Sequence, residues 1–210
     1  MNCYMYLEWY YNFALCTPII PLALLIFFNN SSPKQSHKIL ILLFSTDLIT
    51  NVLTAFFEAK YGNVYPITNL SLVIQAFLIL QFIKGLERSN KTIVNMSIIF
   101  ILLLFFCESI LRSNFWADNK ITLISCHVII ILIGWIAIYQ SYKNTTELEF
   151  RFLAINILYN TVFFIEIMFI DKIHFSKELF LYTFPFTVNL YIGANLLYAF
   201  TIWSLRKNLD

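Results

Sequence analysis

Lys38–Ala59 reads KILILLFSTDLITNVLTAFFEA, an unbroken apolar run with one carboxylate, Asp47, in its middle. A run of about twenty such residues, coiled as a helix, matches a hydrocarbon core of ~30 Å. Four polar members of the run, Asp47, Asn51, Thr54 and Glu58, follow i, i+4, i+7 and i+11 spacing. That spacing puts all four on one helical face. The stretch therefore reads as a membrane-spanning helix with a polar stripe that must be turned away from lipid.

The rest of the chain repeats the pattern. Apolar runs of comparable length cover Glu8–Phe28, Lys38–Ala59, Ile67–Leu86, Thr92–Leu111, Ile121–Tyr142, Arg151–Ile170 and Leu179–Trp203, joined by short polar segments. Of the 210 residues, 60% are hydrophobic and 12% charged, whereas a soluble domain carries about 25% charged residues. The expected fold is all-α, a single polytopic transmembrane helical bundle over residues 1–210 with about seven spans. Pro18 and Pro21 should kink the first span, because each removes a backbone donor and crowds the preceding turn. Losing that span would leave six. The N-terminus lacks a basic region before its apolar run, so the run reads as a retained span and not as a cleaved signal peptide.

Lys and Arg set the expected orientation. With the N-terminus outside, Lys34, Lys38, Lys84, Arg88, Lys91, Lys143, Arg151, Arg206 and Lys207 lie inside, and Lys60, Arg112, Lys120, Lys172 and Lys177 lie outside. The positive-inside rule then favours N-out and C-in. The net charge of +2 gives no basic surface for nucleic acid. The four cysteines, Cys3, Cys16, Cys107 and Cys126, form no CxxC pair. Cys107 and Cys126 fall near one membrane face and could bridge, but buried free thiols are the simpler reading. With four glycines in the chain, close GxxxG-type helix packing is not expected.

Polar groups at membrane depth are the best functional lead, since a carboxylate in hydrocarbon costs several kcal/mol unless paired, hydrated or protonated. Besides the stripe on the second span, the candidates are Asn69, Gln75, Asn95, Glu108, Ser125, His127, Asn156, Tyr159, Asn160, Glu166, Asn189, Tyr191, Asn195 and Tyr198. Among these, Asp47, Asn51, Glu58, Gln75, Glu108, His127, Tyr159, Asn160, Glu166, Tyr191 and Asn195 are expected to line a polar pocket opening outward. Interhelical hydrogen bonding alone would account for many of them. Glu108 with Arg112 reads equally well as an i,i+4 pair anchoring a helix end. For Asp47 and Glu166, function and packing stay equally open. Trp9, Tyr10, Trp116 and Trp203 suit the interfacial aromatic belt.

Several chemistries are argued against. The last span holds no lysine for a retinal Schiff base, and the three histidines, His37, His127 and His174, include no HxxxH pair. A tetrahedral zinc site would lack its nitrogen ligands, and no Gly-rich phosphate loop is present. No metal and no cofactor are expected. A metal-free lipid hydrolase survives, with Asp47 and Glu166 as its general acid and base; small membrane lysoplasmalogenases are similar in size and also rely on intramembrane acids.

The stretch Leu43–Ile83, LFSTDLITNVLTAFFEAKYGNVYPITNLSLVIQAFLILQFI, resembles a group of small bacterial seven-helix membrane proteins with no settled function. The chain is also similar in length and hydrophobicity to the multi-span accessory membrane proteins encoded beside type VI-B CRISPR nucleases. These resemblances imply the bacterial cytoplasmic (inner) membrane. The expected function is a non-enzymatic sensor or accessory subunit that binds a ligand or lipid. Its partners would be membrane lipids and a protein partner or second copies of itself. The alternatives are the lysoplasmalogenase-like hydrolase and an oligomeric channel-like effector of antiviral defence.

Overall fold

The computed structural model describes residues 12–28, 35–86, 89–111, 119–141, 146–175 and 177–205. Apart from short turns and connections these residues are helical, with no strand among them. The helices are α1 (Ile19–Phe27), α2 (Gln35–Tyr61), α3 (Tyr65–Lys84), α4 (Lys91–Phe106, continued by a π-helical turn Cys107–Leu111), α5 (Lys120–Ser141), α6 (Glu147–Phe175) and α7 (Lys177–Leu205).

Six segments are long and apolar enough to cross a bilayer: Gln35–Tyr61, Tyr65–Lys84, Lys91–Ser109, Lys120–Gln140, Glu147–Ile165 and Pro185–Leu205. Their outer faces expose Leu42, Ile49, Val52 and Phe56 on α2, Ile99, Phe100 and Leu103 on α4, and Leu196, Leu197 and Phe200 on α7. Apolar surface on that scale belongs in lipid, where a helix also satisfies its own backbone. The chain is a multi-pass membrane protein. The seventh, N-terminal segment, Asn12–Phe27, is shorter. A turn at Thr17–Pro18 breaks it, and Thr17 Oγ1 donates to Ala14 O at 2.7 Å. Pro18 and Pro21 then sit in the opening turn of α1, where a missing N–H leaves nothing unpaired.

Turn chemistry joins α2 to α3. Gly62 adopts φ +62°, a left-handed conformation that a Cβ would disfavour. Asn63 Oδ1 accepts from the Tyr65 amide at 2.9 Å, and Pro66 opens α3. Asn90 caps α4, its Oδ1 accepting from the Ile93 amide at 3.2 Å. The polar stretch Asp171–Glu178, expected as a loop, is helical at every described residue, so α6 and α7 run closer together than hydropathy implied. DKIHFSKE contains charges but neither glycine nor proline. Charge ends an apolar window without ending a helix.

Packing arranges six helices as a closed ring. Around it, α1 contacts α2, α2 contacts α3, α3 contacts α5, α5 contacts α6, α6 contacts α7, and α7 returns to α1; α4 packs outside, against α3 and α5. Gly134 of α5 permits one close approach, since a Cβ there would lie 2.8 Å from Ile157 Cγ1 on α6. Small-residue packing is thus present at one point despite the lack of a GxxxG motif. At one end of the ring the aromatic rings of Phe44, Phe82, Phe152 and Tyr198 meet. Centroids lie 4.8 Å apart for Phe82–Phe152, 5.0 Å for Phe152–Tyr198 and 5.4 Å for Phe44–Tyr198. This plug fills the interior where α2 and α6 begin and α3 and α7 end.

Candidate functional site

Beyond the plug the ring encloses a cavity of about 330 Å³. Its lining runs from Phe44 and Tyr198 of the plug to Thr68 and Leu123, in the opening turns of α3 and α5. Eight of the residues marked in the sequence line it: Asp47, Asn51, Gln75, His127, Tyr159, Asn160, Tyr191 and Asn195. They come from α2, α3, α5, α6 and α7, so the ring topology is what brings them together.

Two hydrogen-bonded networks organise the walls. The first centres on Asp47. Tyr191 OH donates to its Oδ2 at 2.6 Å, and Gln75 Nε2 donates to its Oδ1 at 3.1 Å. Asn51 Nδ2 donates both to Tyr191 OH at 3.1 Å and to Leu15 O at 2.8 Å. One turn further along α7, Asn195 Nδ2 donates to Thr17 Oγ1 at 3.0 Å. These bonds tie α2, α3, α7 and the N-terminal segment around a single acid. No described lysine or arginine lines the cavity or pairs with Asp47.

The second network crosses from α5 to α7. His127 Nδ1 lies 2.7 Å from Asn160 Oδ1, and Asn160 Nδ2 donates to Asn156 O at 2.8 Å and to Asn156 Oδ1 at 3.0 Å. Asn156 Nδ2 in turn donates to Tyr198 OH at 3.4 Å. Because Asn160 spends its amide nitrogen on Asn156, its oxygen accepts from the imidazole, which assigns the proton to Nδ1. His127 Nε2 is then a bare, buried acceptor without a partner among the described residues. The Tyr159 and Phe163 rings stack beside it, with centroids 5.9 Å apart and planes 15° from parallel.

Three marked residues lie elsewhere. Glu58, at the end of the α2 stripe, is exposed and does not line the cavity; the stripe turns inward only as far as Thr54. Glu108 is buried in the π-helical turn, where Oε1 accepts from the Ile121 amide at 3.1 Å and Oε2 from the Thr122 amide and hydroxyl, both at 2.7 Å. It caps the start of α5, a structural job in place of the expected pocket role. Its expected partner Arg112 lies outside the described residues, as do Trp9, Tyr10 and Trp116. Glu166 sits on α6, but its side chain also lies outside them, so Asp47 is the one acid among the described lining residues.

Asn95 and Asn189 are exposed. The described thiols Cys16, Cys107 and Cys126 are all free. Cys126 is buried as expected, whereas Cys107 is exposed, so burial was the wrong expectation there; Cys16 is exposed as well. Sequence reasoning passed over Thr50, Thr68 and Ser71, which also line the cavity. Only the period of their helices, phased on Asp47 and Gln75, could have found them. No family model, curated protein or solved structure matches the chain.

Proposed function

We propose that this membrane protein is a non-enzymatic binding protein whose intramembrane cavity takes a small amphiphilic ligand, and that it acts as a sensor or accessory subunit. One observation carries the reading: in a bundle rich in Leu, Ile and Phe, fourteen hydrogen-bonding side chains from five helices converge on one cavity of about 330 Å³. That volume lies near the lower end of the usual ligand-pocket range of ~300–1,000 Å³. A bundle needing interhelical hydrogen bonds only for cohesion gains by closing over them, since enclosed space forfeits dispersion contacts. The plug stops the cavity at one end, and its lining reaches the opening turns of α3 and α5 at the other. With the lysine and arginine bias, that second end faces outward.

Hydrolysis by a carboxylate pair gains no support from the lining, in which Asp47 is the one described acid. The test is access. A single cysteine at Thr54, which lines the cavity, should react with a water-soluble, membrane-impermeant thiol reagent added to intact cells. It should be shielded when Ala194, another lining residue, is also changed to Phe. A Thr54→Cys protein that stays unmodified from outside, yet reacts once unfolded in detergent, would refute an outward-opening cavity.

A further inference from the structure

We infer that the ligand is an organic ammonium ion, held by Asp47 against aromatic walls; the inference rests on the binding reading above. The argument is an inventory of donors and acceptors. Around Asp47 most of the amide and phenol donors are already used within the protein. The Tyr191 hydroxyl is given to the carboxylate, and both hydrogens of Asn51 Nδ2 are given, one to Leu15 O and one to Tyr191 OH. Gln75 gives one of its two to Asp47.

The larger unused capacity at Asp47 itself is of the opposite kind. An ionised carboxylate offers about four acceptor sites, and Asp47 fills one on each oxygen. Asn51 Oδ1 and Gln75 Oε1 accept no hydrogen bond from a described residue, and both side chains face the cavity. The pole is acceptor-rich and carries the one formal charge described in the lining. A buried carboxylate left without a countercharge is costly in a membrane, and no described lysine or arginine supplies one here. A ligand with several N–H donors and a positive charge satisfies both deficits at once.

Size and walls select an organic cation over a metal ion. The cavity of about 330 Å³ is roughly ten waters' worth at ~30 Å³ each. Beside the Asp47 pole stand the rings of Tyr191 and Tyr159, with centroids 6.3 Å apart, and Phe163, stacked on Tyr159. Aromatic faces attract ammonium groups and accommodate the hydrocarbon attached to them. Two sources share this chemistry: a free amine from the aqueous side and the ethanolamine headgroup of a bilayer lipid.

The experiment compares a cation with its neutral isostere on the full-length protein in phosphatidylglycerol nanodiscs, which contain no amine. Isothermal titration with hexylamine and with 1-hexanol, and with 2-phenylethylamine and 2-phenylethanol, should show each amine binding at least tenfold tighter than its neutral counterpart. Asp47→Asn should bring that ratio close to one while the alcohols still bind, and Asp47→Glu should restore it. Should Asp47→Asn not fold, Phe163→Leu provides an independent variant, weakening amines about threefold and alcohols little. In nanodiscs of mixed phosphatidylethanolamine and phosphatidylglycerol, native mass spectrometry showing retained phosphatidylethanolamine, with no soluble amine bound, identifies the headgroup as the source.

Equal or tighter binding of the alcohols overturns the ammonium assignment. So does a preference for amines that survives Asp47→Asn, or a failure of both soluble amines and phosphatidylethanolamine to bind. In those cases a reactive Thr54→Cys protein leaves the outward-opening cavity standing. An unreactive one removes the parent reading as well.

Discussion

Breaking the bond between Tyr191 and Asp47 tests the architecture most directly, because it joins α2 to α7 across the ring. At 2.6 Å the contact lies in the range of a charge-assisted O–H···O bond. Hydrogen bonds to charged groups contribute about 1.5–3 kcal/mol in soluble proteins. Interhelical bonds in membranes average about 0.6 and reach about 1.7 kcal/mol, because the unfolded chain in lipid also finds partners. The length of this bond and its charged acceptor place the Asp47–Tyr191 coupling near the upper membrane value, about 1.5 kcal/mol. Tyr191→Phe alone should cost about 2 kcal/mol, since Asn51 also loses an acceptor but keeps Leu15 O at 2.8 Å. Asp47→Leu, nearly isosteric, removes the acceptor without opening space. A double-mutant cycle of these two substitutions, read by equilibrium unfolding in mixed micelles, isolates the pairwise value. A coupling below about 0.5 kcal/mol, no more than an average interhelical bond, would refute the claim that Asp47 anchors the site.

Other expectations are independent of that bond. Glu108→Ala strands the Ile121 and Thr122 amides at the start of α5 and should cost about 1–3 kcal/mol, whereas exposed Glu58→Ala should stay within about 0.5 kcal/mol; unfolding in micelles ranks the two, and equal effects would contradict the capping role. Gly134→Ala drives a Cβ to within 2.8 Å of Ile157 and should destabilise by about 1–3 kcal/mol. Gly193→Ala meets nothing within 4 Å and should gain about 0.5–1 kcal/mol from helix propensity; thermal unfolding of the pair reads opposite signs. Lys60→Cys, at the end of α2, should label from outside intact cells, and labelling only after the membrane is opened would reverse the N-out orientation.

The helices and half of the site were legible for the same reason. A polar residue on an apolar helix stands out, and the spacing of Asp47, Asn51 and Thr54 fixes one inward face without any knowledge of neighbours. Tyr191 and Asn195 on α7 were visible through the same four-residue step. Depth along the axis was the weaker guide. Glu58 belongs to the stripe by angle but reaches the helix end, where it is exposed. Glu108 looked like a pocket acid because hydropathy gives no sign that a π-helical turn carries it to the first amides of α5. The ring itself, with α4 outside it, was not readable. All seven helices are apolar on most sides, so no face announces which neighbour it wants. Asp171–Glu178 misled because charge marks the membrane boundary and only glycine or proline reliably marks the end of a helix.

The crossing of Phe44, Phe82, Phe152 and Tyr198 makes the interior blind on one side. A receptacle with a single mouth equilibrates with a single compartment. Under the proposed function its occupancy would follow the solute activity there and be indifferent to whatever accumulates behind the aromatic seal. Passage through the molecule would require Phe44 on α2 and Tyr198 on α7 to part, and these helices also share the Asp47–Tyr191 bond. The hydrogen bond at the carboxylate and the ring contact at the aromatic seal therefore lie on the same two helices.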